Sequence, residues 1–319
     1  MMKRILITGG SGFLGQHLAN KLRANSEITL ASRNHKRLFE VGKALKVETH
    51  PLDISSLNSV NDCVQKVKPD VIIHAAATKF VDWSQKFPNE CIDINILGSQ
   101  NVYRSAITNK IPNVIGISTD KVVYPIGNFY GLSKRVMEDL FLSTQESPDT
   151  QFSCVRFGNI AWSTGSVFPI WQKMLQESRV IESSGSDMFR FFFSVDEAVA
   201  LVLTAINNPS VVAGKILTKP MKSCQMNRIL DLWTRRTNSS WIKIPTREGD
   251  SSNQFLVSED EITFSHQFKL DSESLILISK KSKTELSLRL RQAYSSVNAP
   301  QLTDQEINDL IDKAPREIV

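Results

Sequence analysis

The start of the chain restricts the fold most. The run Arg4-Ile5-Leu6-Ile7 leads into Thr8-Gly9-Gly10-Ser11-Gly12-Phe13-Leu14-Gly15 and then into an amphipathic helical pattern that continues to Arg23. Glycines at 9, 12 and 15 allow a sharp turn, close approach of backbone N–H groups to a pyrophosphate at the helix N-terminus, and tight packing of helix on strand. Such a glycine pattern is weak alone and gains meaning from the order strand, turn, helix. It predicts a dinucleotide site.

Short apolar runs continue to alternate with helical patterns. Strands are predicted at Ile28 to Ser32, Val71 to Ala75, Val114 to Ser118 and Ser153 to Phe157, with helices near Leu38, from Asn95 to Asn109 and from Gly131 to Ser143. Continuous apolar strands joined by helices are the pattern of a parallel sheet covered on both faces. The prediction is therefore an α/β chain: a Rossmann-like, doubly wound parallel sheet over residues 1–160, with a smaller C-terminal substrate-binding region over 161–319. The helix Val195 to Asn207 is predicted to return to the sheet.

Composition excludes several alternatives. With 41% apolar and 22% charged residues, 319 residues suffice for a real core. The 38 basic and 33 acidic side chains leave a dispersed net charge of +5, which does not point to nucleic acid. No run approaches the ~20 apolar residues of a membrane span, and Lys3-Arg4-Ile5 follows the start without a secretory h-region. Cysteines at 63, 91, 154 and 224 form no CxxC pair, so neither a disulfide framework nor a metal site is expected. A cytoplasmic protein with reduced thiols is the expectation. The basic stretch Ser279 to Arg291, with Lys280, Lys281 and Lys283, reads as a solvated helix face.

At the end of the second strand, where a ribose-binding carboxylate would favour NAD, the chain reads Ser32-Arg33-Asn34-His35-Lys36-Arg37. A hydroxyl with the guanidinium groups of Arg33 and Arg37 suits a 2′-phosphate, so NADP is expected and NAD disfavoured. Asp53 and Ile54 are predicted to meet the adenine, and Ala75, Ala76 and Ala77 to let the cofactor lie close to a strand end.

Further on, Ser118-Thr119-Asp120-Lys121 follows a strand, and Tyr130-Gly131-Leu132-Ser133-Lys134 lies ten residues beyond Asp120. Tyr130 and Lys134 are one helical turn apart, so the ammonium is expected to stabilise the phenolate and make it a base for alcohol oxidation. Asp120 and Lys121 add a second acid/base pair, which simple alcohol oxidation does not need.

These features resemble the extended short-chain dehydrogenases/reductases that act on nucleotide sugars. Within that family, Ser118 to Lys121, the run from Ala77-Thr78-Lys79-Phe80-Val81 through Pro88-Asn89-Glu90-Cys91 to Asn95-Ile96-Leu97-Gly98, and Arg156-Phe157-Gly158-Asn159 resemble the inverting UDP-N-acetylglucosamine 4,6-dehydratases. So do Gly165-Ser166-Val167-Phe168-Pro169, Met188-Phe189-Arg190-Phe191 and the tail from Tyr294 to Leu302. The resemblance implies that Tyr130 and Lys134 serve oxidation at sugar C4 while Asp120 and Lys121 serve loss of water across C5 and C6. It further implies that Lys79 approaches cofactor or substrate, that Asn159, Ser166, Val167 and Pro169 hold the nucleotide, and that Arg190 and Arg247 face the diphosphate. A homo-oligomer without nucleic-acid or membrane partners is expected. The Asp120 to Tyr130 interval is one residue longer than the family pattern, Phe189 replaces a Thr, and the segment after Arg247 lacks a Pro and a Lys. Two other readings share the cofactor turn: a C4 epimerase, which has no use for Asp120 and Lys121, and a catalytically silent nucleotide-sensing module.

Overall fold

The computed structural model describes residues 2–143, 148–279, 289–315 and 318–319. Strands β1 (Lys3–Thr8), β2 (Ser26–Ser32), β3 (Glu48–Pro51), β4 (Val71–His74), β5 (Asn113–Thr119) and β6 (Gln151–Phe157) pair in parallel in the order β3-β2-β1-β4-β5-β6. The short strands β7 (Asn159–Ile160), β8 (Val180–Ser183) and β9 (Phe189–Phe193) leave this sheet, and β10 (Lys215–Thr218) returns to pair with β6. After β11 (Ser223–Gln225), β12 (Ser240–Lys243) and β13 (Phe255–Val257), the strands β14 (Ser265–Leu270) and β15 (Glu273–Ser279) add antiparallel pairs beyond β10. The last strand, β16 (Tyr294–Ser295), pairs with β13.

Alternation along β1 shows how the sheet is covered. Ile5 and Ile7 pack with Leu18, Leu38 and Val202 on one face, while Leu6 packs with Val60, Val102 and Phe141 on the other. The helices Phe13–Leu22, His35–Leu45 and Val195–Asn207 thus cover one face, and Leu57–Val67, Gly98–Thr108 and Phe129–Leu142 the other. This is the predicted doubly wound arrangement, and Val195–Asn207 does pack beside Phe13–Leu22. The helix has a capping box in which Ser194 and Glu197 bond each other's backbone N–H.

The C-terminal half contributes more to the large sheet than the division at residue 160 implies. The run Leu275-Ile276-Leu277-Ile278 is apolar on both faces because β15 is buried between β10 and β14. A separate cluster, with Trp162, Phe168, Trp171 and Trp233 around Ile229 and Ile307, holds the remaining C-terminal helices together. Lys280, Lys281 and Lys283 lie outside the described residues. Among the described residues no helix is long and apolar enough to cross a membrane, and Cys63, Cys91, Cys154 and Cys224 are buried free thiols.

Candidate active site

A cleft of about 780 Å³ opens at the carboxyl ends of the parallel strands, where open α/β sheets place their ligands. One wall is the glycine turn, with Ser11, Gly12, Phe13, Leu14 and Gly15; the floor is Ala75, Ala76 and Ala77; the far end holds Lys121, Tyr130 and Lys134. Gly9 has φ +68°, and a Cβ there would lie 2.8 Å from Ala76 Cα, so only glycine lets the two strand ends meet. The bare turn at the helix N-terminus, the small floor, the half-buried Tyr130 and the buried Lys134 together fit a nicotinamide dinucleotide.

The structure separates lining from supporting residues. Thr8 is 1% exposed and does not line the cleft. Its hydroxyl donates to His74 Nδ1 at 2.9 Å and accepts from Ala76 N at 3.3 Å. The Ser99 hydroxyl donates to the Asn95 carbonyl, so it accepts from His74 Nε2 at 3.0 Å, which assigns the proton to Nε2. Burial and the nearby Lys134 charge hold His74 neutral, with its pKa pushed down to about 3. Ser32 reaches the turn through a 2.8 Å contact with the Ser11 hydroxyl, and Arg37 Nε donates to the Ser11 carbonyl at 3.1 Å. Arg33 is paired with Glu90 at 3.9 Å, both groups being solvent-exposed. The Asp53 carboxylate is taken up by the backbone and hydroxyl of Ser55, and Ile54 is buried with its carbonyl accepting from Asn101. Neither Asp53 nor Ile54 lines the cleft.

The helix Phe129–Leu142 is capped by Asn128, whose Oδ1 accepts from Gly131 N at 2.7 Å. A one-turn 3₁₀ helix, Asp120–Val122, sits against it and carries the second acid/base pair. Here the structure corrects one expectation. Lys134 Nζ donates to Met137 Sδ at 3.0 Å, and the Tyr130 phenol is held above its ordinary pKa by burial and by the Asp120 charge, with a Thr119 hydrogen bond acting the other way. A shared helix face does not by itself aim the ammonium at the phenol. Burial draws Lys134 down to about 8.

Asp120 has a fully buried side chain and Lys121 one that is 20% exposed, with 3.0 Å between Lys121 Nζ and Asp120 Oδ1. The same ammonium donates to Asn159 Oδ1 at 3.2 Å. The Thr119 hydroxyl donates to Asp120 Oδ1 at 3.0 Å. A residue that sequence reasoning missed completes the cluster. Two charged partners favour the Gln254 amide orientation in which its nitrogen donates to Asp120 Oδ2 at 2.8 Å and its oxygen accepts from Lys121 Nζ at 2.9 Å, in place of the 3.1 Å bond from Asn159 Nδ2 to the Gln254 oxygen that the opposite orientation makes.

A second cavity of about 220 Å³ joins the first and shares Lys79, Lys121, Asn159 and Ser166 with it. Val167, Arg190 and Arg247 also line it, whereas Pro169, in the first turn of the helix Val167–Glu177, does not. The Arg190 guanidinium donates to the Phe189 carbonyl and faces Met188 Sδ, and burial lowers its pKa. Lys79 is open to the cleft, yet surrounding protein and the Arg37 charge lower its pKa too. The Ser166 hydroxyl oxygen is buried without a protein partner at the N-terminus of that helix.

The chain matches the family described as polysaccharide biosynthesis protein over residues 5–271. It belongs to that family. A UDP-glucose 4-epimerase of Rickettsia bellii is 30% identical over 329 aligned residues, covering 97% of this chain and 95% of the relative. The X-ray structure of Pen from Bacillus thuringiensis superposes with a TM-score of 0.89 at 25% identity over 98% of both chains. TunA, described as an NAD-dependent NDP-hexosamine 5,6-dehydratase of tunicamycin biosynthesis, shares the fold with a TM-score of 0.68 at 19% identity over 78% of this chain and 86% of its own. The family is thus one of nucleotide-sugar-modifying enzymes, and the dehydratase TunA shares its fold.

Proposed function

We propose that this family member is an NADP-dependent UDP-N-acetylglucosamine 4,6-dehydratase that inverts C5. The observation that carries the reading is the Asp120–Lys121 pair, 3.0 Å apart: Lys121 lines both cavities, and the buried Asp120 carboxylate stands directly behind it and near Tyr130. A C4 epimerase uses a tyrosine and a lysine of the Tyr130/Lys134 kind and needs no such pair, and the R. bellii relative is named as an epimerase. The reaction products decide between them.

In this reading residues 1–160 hold the cofactor mainly, and the nucleotide sugar lies against residues from 161–319, with Asn159 and Lys79 at the seam. Arg190 and Arg247 meet the diphosphate. NADP is favoured over NAD because Ser32 stands where a ribose-binding carboxylate would stand, with Arg33 and Arg37 close by. A bound nicotinamide supplies hydride storage, taking the C4 hydrogen and giving it back at C6.

Tyr130 takes the proton of the C4 hydroxyl, and Lys134, which lines the same cleft, offsets the charge that develops once its ammonium turns from Met137 towards the phenolate. The new C4 ketone makes the C5 hydrogen acidic. Lys121 starts with its ammonium protons on Asp120, Asn159 and Gln254, so it becomes a base by passing one proton across the 3.0 Å contact to Asp120. That transfer arms both groups at once. Lys121 removes the C5 proton, Asp120 gives its proton to the departing C6 oxygen, and water leaves with the pair returned to ammonium and carboxylate. The C5 carbanion left after hydride reaches C6 takes up one proton on its opposite face, and the proton Tyr130 took from the C4 hydroxyl, released to solvent, closes the balance. Incubation with UDP-N-acetylglucosamine in deuterium oxide tests the reading: loss of one water by mass spectrometry and deuterium at C5 with L-arabino configuration by NMR are expected. A D-xylo product overturns inversion, and an isobaric product retaining the C6 hydroxyl moves the protein to the epimerases.

A further inference from the structure

We infer that Gln254 is a positioning residue that holds Asp120 and Lys121 as an ion pair between turnovers and fixes the direction in which they act. The dehydration part of this inference rests on the function proposed above; the ion-pair part rests on geometry. Gln254 precedes β13 and is 4% exposed. Its amide meets the two partners through separate atoms, the nitrogen donating to the Asp120 carboxylate while the oxygen accepts from the Lys121 ammonium. Both bonds involve a charged group, which makes them stronger than neutral ones. They oppose early proton transfer from Lys121 to Asp120, and they leave Lys121 Nζ with three acceptors in fixed directions.

The backbone of Gln254 is pinned independently of its side chain. Gln254 N donates to Ser296 Oγ at 2.9 Å, and Ser296 N donates to the Gln254 carbonyl at 2.8 Å. Ser296 is fully buried and its hydroxyl reaches the Phe189 carbonyl, next to Arg190 in the substrate cavity. The serine that follows the tail strand β16 therefore places the amide on the catalytic turn after β5.

Gln254→Leu removes the amide at similar size. The expected result is a kcat for water loss reduced about tenfold or more, with KM and the single-turnover rate of cofactor reduction changed by less than about threefold. A second readout does not depend on the reaction: acylation of Lys121, measured by mass spectrometry against the exposed Lys173, is expected to quicken in the variant. Ser296→Ala is expected to move both readouts the same way by a smaller factor, and it decides the matter if Gln254→Leu does not fold. Unchanged kcat with unchanged Lys121 acylation overturns the inference, as does a raised KM with kcat intact, which makes Gln254 a plain substrate contact. If the unmutated protein releases no water, the dehydratase reading fails, and acylation alone still decides the role of Gln254.

Discussion

Gly131 lies so close to Lys121 that a Cβ on Gly131 would stand 2.1 Å from the Lys121 carbonyl oxygen. The helix bearing Tyr130 and Lys134 is thereby seated on the turn bearing Asp120 and Lys121. Gly131→Ala is expected to cost about 1–3 kcal/mol in urea unfolding, because backbone on both sides must move. Water loss should fall by a larger factor than stability explains, since a shift of ~1 Å between the pairs is enough to misplace a proton donor. Full activity in this variant would show that the contact gives way easily.

Tyr130→Phe removes the group that takes the C4 proton, and Lys121→Ala removes the one that takes the C5 proton. Stopped-flow absorbance of the nicotinamide is expected to show no reduction in the first variant and transient reduction without water loss in the second. Dehydration at the unmutated rate by Lys121→Ala would remove Lys121 from its assigned role.

Cofactor choice is read by titration calorimetry. The unmutated protein should bind NADP more tightly than NAD, and Arg33→Ala with Arg37→Ala should erase most of the difference. Because Arg33 stands 3.9 Å from Glu90, Glu90→Gln is expected to favour NADP further by releasing the guanidinium. Equal affinities for the two cofactors in the unmutated protein would contradict the assignment.

Arg156 is buried between Glu138 and Glu261, at 2.8 Å from each. The Ser118 hydroxyl also donates to Glu138, so this network links the strand before Asp120 to the helix of Lys134. Arg156→Met strips the buried Glu138 of its cation and leaves Glu261 only Arg135 at 3.5 Å, and should cost about 3–5 kcal/mol at pH 7. The Arg156 charge and its hydrogen bonds hold Glu261 below its ordinary pKa of 4.5 against the opposing effect of burial, so the stability this carboxylate contributes is present above 4.5 and lost as pH falls through its folded value. The gap between the variant and the unmutated protein is expected to narrow below pH 4.5.

His74 supplies a second pH dependence. Its folded pKa of about 3 lies below the ordinary 6.5, so between these values the unfolded chain binds a proton that the folded chain refuses. Stability should therefore fall, by as much as a few kcal/mol, as pH drops from 6.5 towards 3. The slope should be shallower in His74→Gln, and comparison of the two proteins removes the shared contribution of His17, whose pKa burial also lowers. Parallel curves would mean that the Thr8–His74–Ser99 chain breaks without charge.

What was legible in the sequence was local. The glycine turn, Tyr130 with Lys134, and Asp120 with Lys121 each carry their geometry in a few consecutive residues, because strand ends and helical turns fix short spacings. Gln254 was not legible: a glutamine between Asn253 and Phe255 has no periodicity or neighbour that marks it, and only the pairing of β13 with β16 brings it to Asp120. The direction of long side chains is illegible for a related reason. Arg33 has a salt-bridge partner, Glu90, on another segment, and Lys134 turns to Met137 on its own helix. The strands β14 and β15 lay outside the expected sheet because an antiparallel hairpin at its edge breaks the βαβ rhythm from which the sheet was read.

The π-turn Ile92–Leu97 places Asn95 where it bonds both the N–H and the carbonyl of Thr78 and also the Ser133 hydroxyl. A π-turn holds one residue more than an α-turn. Deleting a residue there would restore regular backbone bonding and yet swing the following side chains by about 100° around the helix axis, carrying Asn95 away from the loop that holds Lys79. The width of the cleft is therefore written partly in chain length. Relatives one residue shorter at this point would be expected to present a displaced Lys79 with every lining residue unchanged, a route to altered substrate choice that comparison of side chains alone would overlook.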